Sequence, residues 1–205
     1  MQIIETVEQL EAIYGEKNPK SVLKEADHLI PEYAAFVERS PFCMLATVGP
    51  EGLDVSPRGD PVGQFFRIQD PKTLLLPDRR GNNRIDSLRN IVRDPRVSVI
   101  FMIPGIGETL RINGTADIVV DDGMLQSMAM DGKLPRSIVR VHVETVYFQC
   151  QKALARSRLW FADSQAARED VPTAGQMLQA LITSEPFDGA EYDRNYPDHM
   201  KNTIY

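Results

Sequence analysis

The sequence predicts a mainly β protein with flanking helices, its strands arranged as an antiparallel barrel. Three observations carry that expectation. Roughly six or seven short β-prone runs lie between Phe42 and Phe148, most of them joined by tight turns. Single helices interrupt them without strict strand-helix-strand alternation, so a doubly wound parallel sheet fits poorly and a closed antiparallel barrel fits well. At 205 residues the chain can bury a real core without metal or disulfide staples.

Residues 5–39 read as helical. Thr6 and Gln9 have capping-box spacing, and Val7, Leu10 and Ile13 form an apolar stripe ending near Gly15. A second helical pattern follows Pro19. Pro31 opens a third, with Tyr33, Phe36 and Val37 on one face and Ser40-Pro41 as its stop. From Phe42 the period changes: Phe42 to Val48, the turn Gly49-Pro50-Glu51-Gly52 and Leu53 to Pro57 predict a hairpin. Gln64 to Ile68 and Thr73 to Leu76 are two further strand candidates. Ile85, Leu88, Ile91 and Val92 share the face of a helix from about Asn83 to Val92, which Asp94-Pro95 ends. Arg96 to Ile103 reads as a buried strand, and after Pro104-Gly105-Ile106-Gly107 a long strand runs from Thr109 to Val120, with Leu110, Ile112 and Gly114 alternating with Thr109, Arg111 and Asn113. A helix follows Asp121-Asp122-Gly123 through Met130, then a strand from Ile138 to Phe148, a short helix within Lys152 to Trp160, and a helix from Val171-Pro172-Thr173 to Ile182. The acidic tail, Glu185 to Tyr205, reads as irregular. We expect a helical segment over 1–40, a barrel domain over 41–160, and a helix and tail over 161–205 packed on the same domain.

Composition excludes several classes. Lys and Arg number 23 against 29 Asp and Glu, a formal charge of -6, which argues against a broad nucleic-acid surface. Cys43 and Cys150 cannot build a disulfide framework and read as buried, inert thiols of a cytoplasmic protein. The apolar run Val97 to Gly107 is too short for a membrane helix of about 20 residues, and Glu5, Glu8 and Glu11 stand where a signal peptide would be basic. Dinucleotide, phosphate-loop and nucleophile-elbow signatures are missing, and His28, His142 and His199 lack ligand spacing, so no metal is expected.

The average charge hides an asymmetry. Between Ser56 and Arg96 nine basic residues face five acidic ones, a local +4 that leaves -10 elsewhere. Arg79, Arg80 and Arg84 surround Gly81-Asn82-Asn83 at a strand-to-helix junction, where open N–H groups and the helix dipole favour an anion such as a phosphate. Arg89, Arg93 and Arg96 read instead as a solvated face.

Four ordered blocks then resemble the pyridoxamine 5'-phosphate oxidase-like, FMN-binding split-barrel family: Ser56-Pro57-Arg58-Gly59-Asp60; Leu76-Pro77-Asp78-Arg79-Arg80-Gly81-Asn82-Asn83-Arg84; Pro104 to Gly114; and Cys150 to Trp160. The similarity covers about residues 30–182. It implies a Greek-key split β-barrel that forms a homodimer with FMN at the interface. By the same resemblance Arg58, Arg79, Asn83 and Arg84 lie at the FMN phosphate, with Ser56 and Asp78 in the same blocks. The flavin ring follows the strand of Thr109 and Arg111, and Lys152, Ser157 and Trp160 close the site, from either subunit. Arg111 or Lys152 is then the cation beside the ring's N1 and C2 carbonyl. Thr109 and Arg111 share one side of their strand, which is either a polar site or a solvated face. Arg80 stands where this subgroup often has Pro and reads as an outward-facing replacement; Gln149 stands where His is common. The substrate-phosphate signature of true pyridoxamine-phosphate oxidases is missing, so vitamin B6 oxidation is not implied. The expected activity is that of an FMN-dependent oxidoreductase acting on a small molecule, with no catalytic side chain identified. The alternatives are a flavin-binding, storage or sensing protein without turnover, and a deazaflavin-dependent reductase.

Overall fold

A computed structural model describes residues 1–204. At its centre is one antiparallel sheet of seven strands: β1 (Phe42–Gly49), β2 (Gly52–Gly59), β3 (Arg67–Asp70), β4 (Thr73–Asp78), β5 (Arg96–Met102), β6 (Thr109–Val119) and β7 (Ser137–Gln149), in the order β2-β1-β5-β6-β7-β4-β3. The hydrogen-bonded ladder is not closed, which corrects the closed barrel expected from the turns. Its free edges are β2, which carries Pro57 and so lacks a donor there, and β3, which is only 4 residues long. The sheet nevertheless coils. In a flat sheet the order would hold β2 and β4 roughly 24 Å apart. Yet the Arg58 Nη1 of β2 donates to the Asp78 Oδ1 of β4 at 2.7 Å. The edge strand β2 and the next-to-last strand β4 meet through side chains rather than backbone, and the barrel is split there.

Alternation fixes which face turns inward. Cys43 and Leu45 on β1, Val99 and Phe101 on β5, and Leu110 and Ile112 on β6 are buried and share one core with Leu74, Leu76, Val139, Val141 and Val146. Leu75, on the other face of β4, joins a smaller cluster with Leu125, Met128 and Ile138. The β6–β7 ladder slips register between Asn113 and Gly114, and a Cβ at Gly114 would lie 1.9 Å from the His142 carbonyl oxygen. Only glycine lets the two backbones approach so closely.

Helices cover the ends. Tyr33 and Val37 of α2 (Pro31–Arg39) are buried against the core, and α3 (Asp86–Arg93) lies on β1, where the Asn90 amide donates to Thr47 at 3.1 Å. The predicted start of α3 near Asn83 moves to Asp86, because Asn83 is left-handed, with φ 60°. The short helices α4 (Asp122–Ser127) and α5 (Lys152–Ser157) follow β6 and β7.

The termini differ most from expectation. Helix α1 (Val7–Tyr14) forms with Thr6 as its cap but buries no residue, and the pattern after Pro19 gives a single 3-10 turn. The tail is not irregular: α7 (Gly189–Thr203) pairs with α6 (Ala174–Leu181) as a helical hairpin. Gly175 and Gly189 let the helices touch, since a Cβ at Gly175 would stand 2.0 Å from the Gly189 carbonyl oxygen. Asp188 caps α7 by accepting from the Glu191 N–H at 2.9 Å, a signal hidden among the tail's breakers. Tyr205, the last residue of that tail, lies outside the described residues. No described helix is long and apolar enough to cross a membrane.

Candidate anion and cofactor site

The arginine-rich segment forms a cleft of about 600 Å³ at the split, walled by β2, the end of β4, the 79–85 loop and the start of α3. Ser56, Arg58, Asp78, Arg79, Asn83 and Arg84 all line it. The loop has local reasons for its shape. The Asn82 side chain accepts from the Arg84 N–H at 3.0 Å, and Asn83 takes the left-handed conformation that Asn tolerates better than most residues. Helix α3 has no side-chain cap at Ile85, so its positive end opens into the cleft.

A chain of hydrogen bonds crosses the floor. The Ser87 hydroxyl donates to Asp54 at 2.6 Å, which spends its only proton. The 3.1 Å contact between Ser56 and Ser87 is therefore donated by Ser56, whose oxygen accepts from Arg58 Nε at 3.3 Å. Arg58 ends the chain on Asp78. Ser56 thus orients Arg58 and keeps no proton for a ligand. Arg79 is bound on three sides: Nε donates to Asp60 at 2.5 Å, Nη1 to the Met128 carbonyl and Nη2 to the Gln64 carbonyl at 3.2 Å each. Arg84 is the most open of the three cleft arginines chosen from sequence, with its Nε on Asp86 at 2.6 Å; that bond raises its pKa further.

The other candidates gather elsewhere. Thr109 Oγ1 lies 3.3 Å from Gln149, Arg111 Nη1 donates to the Tyr147 hydroxyl at 3.2 Å, and Trp160 Nε1 donates to the Ile106 carbonyl at 2.8 Å. Lys152 is exposed at the start of α5, and the Ser157 hydroxyl donates to the Leu154 carbonyl at 3.2 Å. Trp160 lies against the β5–β6 turn through Ile106, and Gln151, just before Lys152, lies beside Gly107 of the same turn. Register places the two groups on opposite faces of the sheet. Arg58 pairs with Cys43, Cys43 with Phe101 and Phe101 with Leu110, a row that faces the core. Arg111 belongs to the neighbouring row of Pro57, Met44 and Ile100, which faces outward, as does Thr109. Arg111 Nε is buried there without a hydrogen-bond partner.

Sequence reasoning missed Asp54, Asp60, Ser87 and Arg136, all of which line the cleft, and Tyr147 beside Arg111. Asp60 stood inside a matched block; the others carry no local signal. Arg93 pairs with Glu51 and Arg96 with Asp94, and neither they nor Arg89 line the cleft, as the solvated reading expects. Cys43 is buried, and desolvation pushes its thiol up to about 12 despite the nearby Arg58. Cys150 is exposed, which corrects its assignment to the interior.

Comparison with known proteins gives one family. No curated protein matches the chain. Among solved structures, HupZ from Group A Streptococcus is 21% identical, with 58% of this chain and 91% of that one aligned at a TM-score of 0.46. A protein related to general stress protein 26, of the pyridoxinephosphate oxidase family, from Clostridium acetobutylicum is 16% identical (58% and 86% covered, TM-score 0.44). The FAD binding protein from Mycobacterium smegmatis is 15% identical (60% and 97% covered, TM-score 0.41). The profile of the family described as Pyridoxamine 5'-phosphate oxidase matches residues 29–150, from the residues before α2 to the end of β7. That match takes in the whole sheet and the arginine cleft, and the chain belongs to the pyridoxamine 5'-phosphate oxidase family.

Proposed function

We propose that this protein is an FMN-dependent oxidoreductase acting on a small molecule, with two cofactor sites shared across a homodimer. The observation that carries the reading is the division of the site. A polar cleft with an uncapped helix end and several guanidiniums suits a phosphate, while the residues suited to a flavin ring lie on the opposite face of the same sheet. One small molecule cannot touch both faces of one sheet wall. It can lie between the cleft of one chain and the outer face of a second.

The outer face suits such a contact. Leu53 and Val55 of the edge strand β2 are 84% and 54% exposed, and the buried Arg111 Nε lacks the acceptor that a ring carbonyl would supply. When bound, FMN supplies the redox chemistry, accepting and returning electrons. The chain's own part is to bind and orient. Arg84 and the 81–83 loop receive the phosphate, Asp78 and Asp60 hold Arg58 and Arg79 in place, and Arg111, steadied by Tyr147, brings fixed positive charge to the ring. Lys152, Ser157 and Trp160 close the outer side.

The test is the chromophore of freshly purified protein. The expected result is a yellow protein with a flavin spectrum, FMN as the extracted cofactor and a dimer in sedimentation. A colourless protein that takes up no added FMN, or a monomer that holds FMN fully, overturns the reading. Anaerobic reduction by NADH or NADPH followed by offered acceptors then separates turnover from stoichiometric binding.

A further inference from the structure

The cleft contains more guanidinium than its own carboxylates use. Arg58, Arg79 and Arg84 each have an aspartate partner, namely Asp78, Asp60 and Asp86. Two more arginines line the same cleft, Arg80 and Arg136, and among the described residues neither meets a carboxylate. Arg136 comes from the loop before β7. Its backbone N–H donates to the Asp78 carbonyl at 2.9 Å, so the side chain starts from a fixed point on the cleft wall. Its Nη1 donates to Asn83 Oδ1 at 2.8 Å, and of the five N–H donors of a guanidinium that is the one side-chain bond it makes among the described residues. Arg80 makes no side-chain hydrogen bond or ion pair among the described residues.

We infer that Arg80 and Arg136 join Arg84 in gripping the phosphate, and that Arg58 and Arg79 are wall clamps that do not leave their aspartates. The inference rests on the reading of the cleft as a phosphate site and changes which residues serve it. Burial decides the division. The side chains of Arg79 and Asp60 are 13% and 6% exposed. Turning Arg79 toward a ligand would strand a buried carboxylate, a change that costs far more than one new contact returns. Arg80 and Arg136 are exposed at the cleft wall, and engaging them breaks no ion pair among the described residues. A phosphate monoester carries about -1.5 to -2 charges at neutral pH, which two forked cations match. The single Arg136 bond also pins Asn83 in its left-handed turn, so the same residue shapes the loop and points into the space it encloses.

The experiment compares FMN with riboflavin, which lacks the phosphate, by fluorescence titration of wild type, Arg80→Ala, Arg136→Gln and the double variant. The expected result is a fall of about tenfold or more in the FMN-to-riboflavin affinity ratio for each single variant, with riboflavin affinity unchanged and part of the ratio restored by Arg136→Lys. Arg79→Lys is expected to lower the melting temperature and to leave the ratio within about twofold. Ratios unchanged in Arg80→Ala and Arg136→Gln overturn the inference. Inorganic phosphate gives a second readout that does not depend on flavin. If neither flavin binds, the FMN reading fails, while phosphate that raises the melting temperature of wild type and not of the double variant still upholds the anion site. Equal protection of both proteins, or of neither, overturns it.

Discussion

The pair that joins β2 to β4 across the split invites a direct test. Arg58 and Asp78 are 2.7 Å apart, with side chains 22% and 15% exposed. Exposed ion pairs contribute about 0–1 kcal/mol, whereas removing one partner of a fully buried pair costs about 3–5 kcal/mol. At this partial burial the cost of Asp78→Asn is about 2 kcal/mol. In a domain of roughly 150–250 residues each kcal/mol moves the melting temperature by about 2–4 °C, so the variant should melt about 4–8 °C lower. A double-mutant cycle with Arg58→Met isolates the pair. Each single change strands a half-buried charge and the double change strands none, so the double variant should recover about 1–2 kcal/mol of the summed loss. Urea unfolding of ligand-free protein measures all four corners. Effects that add within about 0.5 kcal/mol would refute the claim that this pair closes the split.

Three further outcomes follow from the same packing. Gly114→Ala places a methyl against the His142 carbonyl at the β6–β7 register slip and should cost about 4 kcal/mol or abolish soluble protein; a melting temperature within about 4 °C of wild type contradicts this. Cys43, with its thiol raised to about 12 by burial, should stay unmodified by a thiol reagent at pH 8 until the protein unfolds, so two thiols reacting in the native state would refute its burial. Hydrogen bonds from Thr173 and the Gly175 N–H hold the Asp193 carboxyl below its usual range. Its contribution to the α6–α7 hairpin is therefore fully present above the unfolded value of about 3.9 and is lost as pH falls through the lower folded value. Acid unfolding of Asp193→Asn should lack that limb, and identical acid limbs in the two proteins contradict the assignment.

Much of the fold was legible because its signals are local. Apolar β-prone runs located β1 and β5, alternation located β6 and β7, each to within a residue or two, and the apolar spacing of Ile85, Leu88 and Ile91 located α3. Strand order is a matter of distant pairing, and the split is bridged by side-chain bonds between residues 20 and 19 apart in sequence, Arg58 to Asp78 and Asp60 to Arg79, so a closed barrel and an open one read alike. Helix α7 was hidden for a different reason. Gly189, Asp188 and Pro197 resemble loop residues until Gly175 gives the first a surface to touch and Glu191 gives the second an N–H to cap. The arginines show the same limit. Sequence gathered them correctly near one junction. What each guanidinium does depends on acceptors such as Asp60, Gln64 and Met128, which no local pattern connects to Arg79.

The proposed sharing of one FMN site between two chains makes a prediction that a site within a single chain could not satisfy. Take one variant disabled in the cleft, Arg84→Ala, and another disabled on the outer face, Arg111→Ala. In the proposed symmetric dimer each site draws its cleft from one chain and its outer face from the other, so either homodimer has two damaged sites. A mixed dimer differs. One of its sites combines both damaged halves, and the other combines two intact ones. If subunits reassort at random, half of the dimers are mixed and about a quarter of all sites regain full FMN affinity. Titration of the mixture after unfolding and refolding together should therefore show a tight class near that fraction, absent from each variant alone. If the cleft and the outer face of the same chain served one flavin, every site in a mixed dimer would keep its own lesion and no tight class would form. Arg84 lines the cleft and Arg111 stands on the outward row, so the two outcomes separate the shared site from a self-contained one, whatever the substrate is.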